Sequence, residues 1–466
     1  MNSTTGVVAV WCTGIAAYTV SITSRTSLAA LGLDTAGHFA VDPATLSLFA
    51  VLQLAVYGVM QIPAGLALDR FGPRVVLTVG MTLLAFSSVV LALAPNVAVG
   101  IAARVVLGAG DAMIFPSVLR VIGIRFPRRF APVAVQATGL LGQFGQLISV
   151  IPFAALVHVA GWASGFLALA GTSALVAVLV FVVVRENRHE RVQAVPMRTR
   201  LSQAWAARGT RLAFWTHFVT PFAGNTFAVL WGYPFLVGGL GLASTTAQGL
   251  FTVYVLVGIL AAPLIGGLSA RWPHRRVALV GVVVAVQVAA WLAVLGSSGP
   301  APLTLLVLLA AALCVGGPGS MVAFDIARDH NPPYRLSTAT GIVNGAGFLS
   351  SVLVILLMGW ALRLQSHGGD DYTLEAFRWA ELVQVPFWVL GMAMVIREGR
   401  RTSAARASEL LDGDRDGRTR RPHPFRQISD LSHGVGASAN PAALEEGNNV
   451  VRQEGQHRDR VRDGRP

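Results

Sequence analysis

Charge is what this sequence has least of. Charged residues make up 13% of its 466 positions, where a soluble domain carries roughly 25%. The shortage is also uneven, because 14 arginines and 11 acidic residues fall within residues 397–466. The poorer 396 positions before them are organised into repeated apolar stretches of about 20 residues, long enough to span a bilayer as helices. A soluble enzyme is excluded, and so, apart from the tail, is a disordered scaffold. The chain reads as a polytopic membrane protein.

Other absences narrow the reading. Lysine is missing altogether, so all 36 basic residues are arginine, a bias that speaks of a GC-rich coding sequence more than of mechanism. The two cysteines, Cys12 and Cys314, both fall inside apolar segments and read as small packed hydrophobes, not as a disulfide. No His/Cys metal spacing, phosphate loop or nucleophile elbow occurs, so neither cofactor nor metal is expected. Residues 1–6 hold no basic residue and no small-residue cleavage site follows a short apolar core, so the first apolar segment reads as a retained helix. The net charge of +13 would fit a nucleic-acid binder; in a membrane protein it poses instead the question of which side the charge is on. The expected partners are membrane lipid, a small solute and protons, with no nucleic acid.

Apolar segments run at about 7–31, 44–67, 75–94, 97–119, 131–157, 162–184, 212–238, 245–268, 277–296, 303–326, 337–362 and 379–396. Twelve crossings put both termini on one side. With both inside, 32 arginines fall in internal segments and two, Arg363 and Arg378, outside; Arg25 and Arg104 lie within helices. This is a strong positive-inside signal, and it survives removal of the tail. The expected organisation is a six-helix bundle over 1–184, an Arg-rich cytosolic linker over 185–211, a second bundle over 212–396 and a disordered cytosolic tail over 397–466.

The two halves repeat each other. After the second segment comes Gly65-Leu66-Ala67-Leu68-Asp69-Arg70-Phe71-Gly72-Pro73-Arg74, and after the eighth Gly266-Gly267-Leu268-Ser269-Ala270-Arg271-Trp272-Pro273-His274-Arg275. Gly65 and Gly266, Arg70 and Arg271, and Arg74 and Arg275 share an offset of 201, while Ala137-Thr138-Gly139 matches Ala339-Thr340-Gly341 at 202. Repeats of six helices are a recurrent transporter architecture, with the solute site between them near mid-membrane.

At these residues the sequence resembles the major facilitator superfamily. The loop Gly65 to Arg74 is similar to that family's signature after helix 2, and Arg104-Val105-Val106-Leu107-Gly108-Ala109-Gly110 to its helix 4 signature. The resemblance spans about residues 7–396 and implies an all-α membrane protein, with twelve transmembrane helices as two six-helix repeats. It also implies a pore lined by helices 1, 4, 7 and 10, and alternating access by rocking of the halves. Departures exist: Ala270 stands where the first half has Asp69, and Pro273 where it has Gly72. The fifth segment has Gly139, Gly142 and Gly145 but lacks the Gly-Pro pair that marks the family's proton-driven exporters. Arg25-Thr26-Ser27-Leu28 resembles members that carry anions.

The loop residues Gly65, Asp69, Arg70, Gly72 and Arg74 form a candidate gate, because the family's loop helps latch the cytosolic side and a carboxylate there can face a neighbouring helix N-terminus. The alternative is an ordinary loop obeying the charge rule. Arg25 and Arg104 each lie about 10 Å inside the outer end of their helices, from 1.5 Å of rise per residue. An intramembrane charge costs about 2.5–3.5 kcal/mol on the milder scale, so it faces a cavity or a partner. Two guanidiniums at one depth would attract carboxylate or phosphate; the alternatives are snorkelling for Arg25 and a structural contact for Arg104. Asp111, seven residues past Arg104 and about 10 Å deeper, is the candidate proton carrier, its alternative a helix-to-helix hydrogen bond. Asp325 and Glu381 read as interfacial, His217 as simply hydrogen-bonded. Tyr18, Asn225 and Thr226 complete the candidate solute site, with Gln53, Tyr57 and Asn344 as further polar groups that bind either solute or a neighbouring helix.

The expected function is secondary transport across the plasma membrane by alternating access, taking up a small anion with protons by symport. Two rivals stand: proton-coupled export of an apolar or cationic compound, with Asp111 facing the cation, and a non-transporting membrane receptor whose tail binds a partner.

Overall fold

The computed structural model describes residues 4–40, 43–184, 196–365 and 373–415. Among the described residues there are helices and turns but no strand. The first crossing is α1 (Thr4–Ala30). The next two lie on one helical path, Pro43–Ala92, which turns at Gly72, where φ is 78° and ψ 169°. Only glycine adopts that conformation without strain, and Pro73 restarts the helix with the φ it needs. Residues 43–71 are thus α2 and residues 73–92 α3. The fourth crossing, α4, is in two pieces, Val97–Asp111 and Ile114–Arg125, the first capped by the side chain of Asn96, which accepts the Val99 N–H.

The fifth, α5, covers residues 131–160 with a π-helical stretch at Ser149–Phe153 around Pro152; α6 is Trp162–Val183. In the second half α7 covers residues 208–239; its helix breaks at Thr220 and Pro221 and passes through two π-helical turns, Phe227–Trp231 and Phe235–Gly239. Then follow α8 (Ser244–Arg271), α9 (Arg276–Leu295), α10 (Leu303–Cys314 and Gly316–His330), α11 (Pro333–Gln365) and α12 (Leu374–Glu381 and Gln384–Arg415).

Ten stretches among the described residues are long and apolar enough to cross a membrane. One of them, Val51–Ala92, holds both α2 and α3, and the interrupted α7 is the remaining crossing. Large apolar side chains such as Val59, Val159 and Leu260 stand exposed on the outer surface. In lipid such a surface costs nothing, and packing depends on shape and small residues instead.

The described residues up to Arg406 pack as one unit, and a second begins at Ala407, helical as far as it is described, to Arg415. Part of the linker is a helix, Met197–Ala206, whose last carbonyls, on Trp205 and Ala206, accept from Arg211, itself paired with Glu398 of α12 at 3.2 Å. And helix continues through residues 397–415, where the tail was expected to be disordered; residues 416–466 lie outside the described residues.

Candidate functional site

Two polar centres stand out, one in the first half near mid-helix and one at the arginine-rich end. The first is built where α4 is interrupted. Asp111 closes the first piece of that helix, and the N–H of Ala112 turns back to Gly108 and Gly110. The carboxylate is held from α1: Arg25 donates from Nε at 2.7 Å and from Nη2 at 3.0 Å, and the Ser21 hydroxyl donates to the same group. Asp111 is buried, its side chain 1% exposed, whereas that of Arg25 is 19% exposed. The Arg25 guanidinium also lies over the Tyr57 ring of α2, 4.6 Å from its centroid, a cation–π contact.

The structure therefore joins Arg25 to Asp111 and parts Arg25 from Arg104. Arg104 is fully buried and donates to the carbonyls of Ser24 at 3.0 Å and Arg25 at 2.7 Å, to Ser27 Oγ and to Gln53. Both of its terminal nitrogens are engaged by α1 and by Gln53, and its Nε is buried without a partner among the described residues, so the two guanidiniums do not form the expected pair. Arg104 holds in place the turn that carries Arg25. Tyr18 packs its ring 5.0 Å from Phe115 and over Gly142. On α7, Asn225 donates to Ser351 of α11 at 3.0 Å, and the buried Thr226 hydroxyl has no partner among the described residues. These two belong to a separate cluster in the second half. His217 reaches the Ser320 carbonyl at 3.1 Å. Glu381, expected near an interface, is buried and accepts from Gln384.

The second centre is a clasp between the halves. Asp69 accepts the N–H of Ser337 at 3.0 Å, the N–H of Thr338 at 2.7 Å and the Thr338 hydroxyl at 2.5 Å. Arg120 of α4 donates to Asp69 at 2.6 Å, to the Pro333 carbonyl at 3.1 Å and to Ser337 Oγ at 2.7 Å. The pair thus binds the Ser337 N–H and the Pro333 carbonyl in the first turn of α11. The helices approach closely here: a Cβ on Gly65 would lie 2.5 Å from the Ser337 carbonyl oxygen.

Of the expected gate residues, Gly65 and Asp69 form this seam and Gly72 makes the turn. Arg74 fastens the loop within the first half, donating to the Phe181 carbonyl at 2.8 Å and stacking on the Phe181 ring, while Arg70 lies exposed beside Phe71. Sequence reasoning missed Arg120, Ser337 and Thr338. Arg120 stands inside an apolar run, a sign of a partner, but it was counted with the loop arginines. In the second half, where Ala270 replaces the aspartate, the charges stay among themselves. Ser269 donates to Asp325 at 2.6 Å, Arg328 pairs with Asp325 at 3.1 Å and Arg276 with Asp329 at 2.6 Å. Asp325, expected at an interface, is buried in that network.

The sequence matches a family model described as Major Facilitator Superfamily over residues 11–236 and again over 213–435. The chain belongs to the major facilitator superfamily. It is a multi-pass membrane transporter, not an enzyme. It is similar to the 4-hydroxybenzoate transporter PcaK of Pseudomonas aeruginosa, 26% identical over 383 residues, covering 71% of this chain and 84% of that one. Among solved structures, FucP in the outward conformation superposes with a TM-score of 0.66 at 15% identity, covering 84% of this chain and 99% of that one. The human organic anion transporter MFSD10 gives 0.64 at 15%, with the same coverage. At these identities the structures speak for the superfamily fold alone.

Proposed function

We propose that this protein is a proton-coupled importer of a small organic anion in the plasma membrane, with both termini cytosolic. The observation that carries the reading is the ion pair of Arg25 and Asp111, the acid buried and the arginine partly exposed. A guanidinium accepts one carboxylate in a two-pronged geometry at a time. While Asp111 is ionised it holds Arg25; once Asp111 takes a proton, Arg25 is free for a solute carboxylate. Charge stays balanced in both states, and an unpaired charge at this depth is avoided. Solute and proton then load together and leave together, which is symport. When the solute departs, Arg25 recaptures Asp111 and the proton is released.

The relatives support the reading in outline: PcaK is named for a hydroxybenzoate, MFSD10 for organic anions and FucP as a fucose:proton symporter. The halves over 1–184 and 212–396 would rock about the solute, with the Asp69 clasp shut while the opposite end is open. Export of a cation fits less well, because Asp111 is already engaged by Arg25 and Ser21.

The test is the melting temperature of purified protein in detergent with benzoate, galactonate, sulfoacetate and tetraphenylphosphonium. A ligand at 100 times its Kd adds about 2.7 kcal/mol of stability. Stabilisation by an anion, lost in Arg25→Gln, is expected. Stabilisation by the cation alone, unchanged in Arg25→Gln, would put export first.

A further inference from the structure

Between the two centres lies a third polar contact that neither uses. Asn344 of α11 donates to the Gln61 side-chain carbonyl of α2 at 2.7 Å and to the Tyr57 hydroxyl at 3.4 Å. Gln61 turns its own amide back to the Tyr57 carbonyl at 3.3 Å, and Phe348, one turn along α11, packs on the Tyr57 ring at 4.6 Å. The site is tight: a Cβ on Gly341 would come within contact of the Gln61 carbonyl. All of these groups except Phe348 are buried.

Tyr57 thus has two sides. Its ring face carries the Arg25 guanidinium, and its hydroxyl accepts from the second half through Asn344. Asn344 stands six residues from Thr338, about 9 Å along α11, and Gln61 eight residues from Asp69, about 12 Å along α2, at 1.5 Å of rise per residue. The same two helices therefore carry the charged clasp and, about two turns away, this amide bridge. Both contacts hold the same α2–α11 seam.

We infer that Asn344 and Tyr57 are positioning residues that tie the state of the Arg25–Asp111 pair to the closure of the Asp69 clasp. The inference rests on the proposed role of that pair. When Asp111 loses its charge, the guanidinium loses the anchor that fixes it over the Tyr57 face. The phenol is then free to shift, Asn344 loses one of its two acceptors, and the α2–α11 seam loosens toward the clasp. With Asp111 holding Arg25, the ring is pinned and the seam stays shut.

The test needs no identified solute. Full-length protein in lipid vesicles is followed by hydrogen–deuterium exchange of peptides covering residues 333–348. Asp111→Asn, which releases Arg25, should raise exchange there about fivefold, a coupling within the range for contacting residues. In a Tyr57→Phe background, which keeps the ring but removes the hydroxyl, the same replacement should change exchange by less than about twofold. Asn344→Val should blunt the response likewise from the other end, so the result does not hang on one variant. A fivefold rise persisting in both backgrounds would reduce Tyr57 and Asn344 to packing. No rise with Asp111→Asn alone would equally overturn the relay. Neither result touches the solute reading, which stands or falls on loss of anion stabilisation in Arg25→Gln.

Discussion

Arg25 and Arg104 are both arginines in the membrane, and their acceptors separate their roles. Arg104 faces backbone carbonyls and an amide oxygen, which keep their charge whatever the transporter does. Arg25 faces a carboxylate, which a proton can neutralise. Only the second arrangement can switch. The difference is measurable: Arg104→Met removes this set of buried hydrogen bonds and leaves the buried Gln53 side-chain oxygen without its Arg104 donor, at about 1–3 kcal/mol for an unsatisfied buried group, and should lower the melting temperature. The double replacement Arg25→Gln/Asp111→Asn removes both partners of a buried pair, a change that is often close to neutral. It should melt near the wild type yet show no stabilisation by anions. A double variant as unstable as Arg104→Met would mean that the ion pair is a structural tie.

Helices in this protein meet where glycine lets them. The α2–α11 seam depends on Gly65 under the Ser337 carbonyl and Gly341 under the Gln61 carbonyl, approaches that a side chain would prevent. Gly65→Ala should therefore prise the seam apart, slow transport and raise exchange over residues 333–345. Gly139→Ala, at a position with nothing within 4 Å of its would-be Cβ, should leave both unchanged. Equal effects would show that the seam is not a close-packed gate. Sequence reading found Gly65 and Asp69 because their spacing forms a local signature. It did not find Ser337 and Thr338, which lie 268 and 269 residues from Asp69, since no local pattern marks which helix a carboxylate will meet. The interruptions of α4 and α12 beside Asp111 and Glu381 were invisible for a related reason: hydropathy runs straight through them.

Across the molecule the two halves share a plan but close it differently. Asp69 and Arg120 reach across to α11, while the second half, with Ala270, keeps its ion pairs at home. There Gln136 of α5 makes the crossing, donating to the Pro318 carbonyl of α10 at 2.7 Å, with Gly266 of α8 against it. Orientation in the membrane is predicted by arginine placement. In a Cys12→Ser/Cys314→Ser background in intact cells, a cysteine at Ser298 should react with an impermeant maleimide and one at His274 should not. The reverse would invert the topology.

Hydropathy, read locally along the chain, was enough for a membrane protein of twelve crossings, and matching motifs for its internal repeat; arginine placement predicts the sidedness. Bilayer thickness and the cost of moving guanidiniums across it act on each segment separately, so no tertiary knowledge was required. The sequence also pointed to Asp111, Arg25 and Asp69 as charges in need of partners. Which partners they took was decided only in three dimensions: Arg25 crosses from α1 to an acid 86 residues on, and Arg104 turns instead to carbonyls of that same α1. A buried charge must be compensated by whatever donors and acceptors packing brings within about 3 Å, and packing is a property of the assembled bundle.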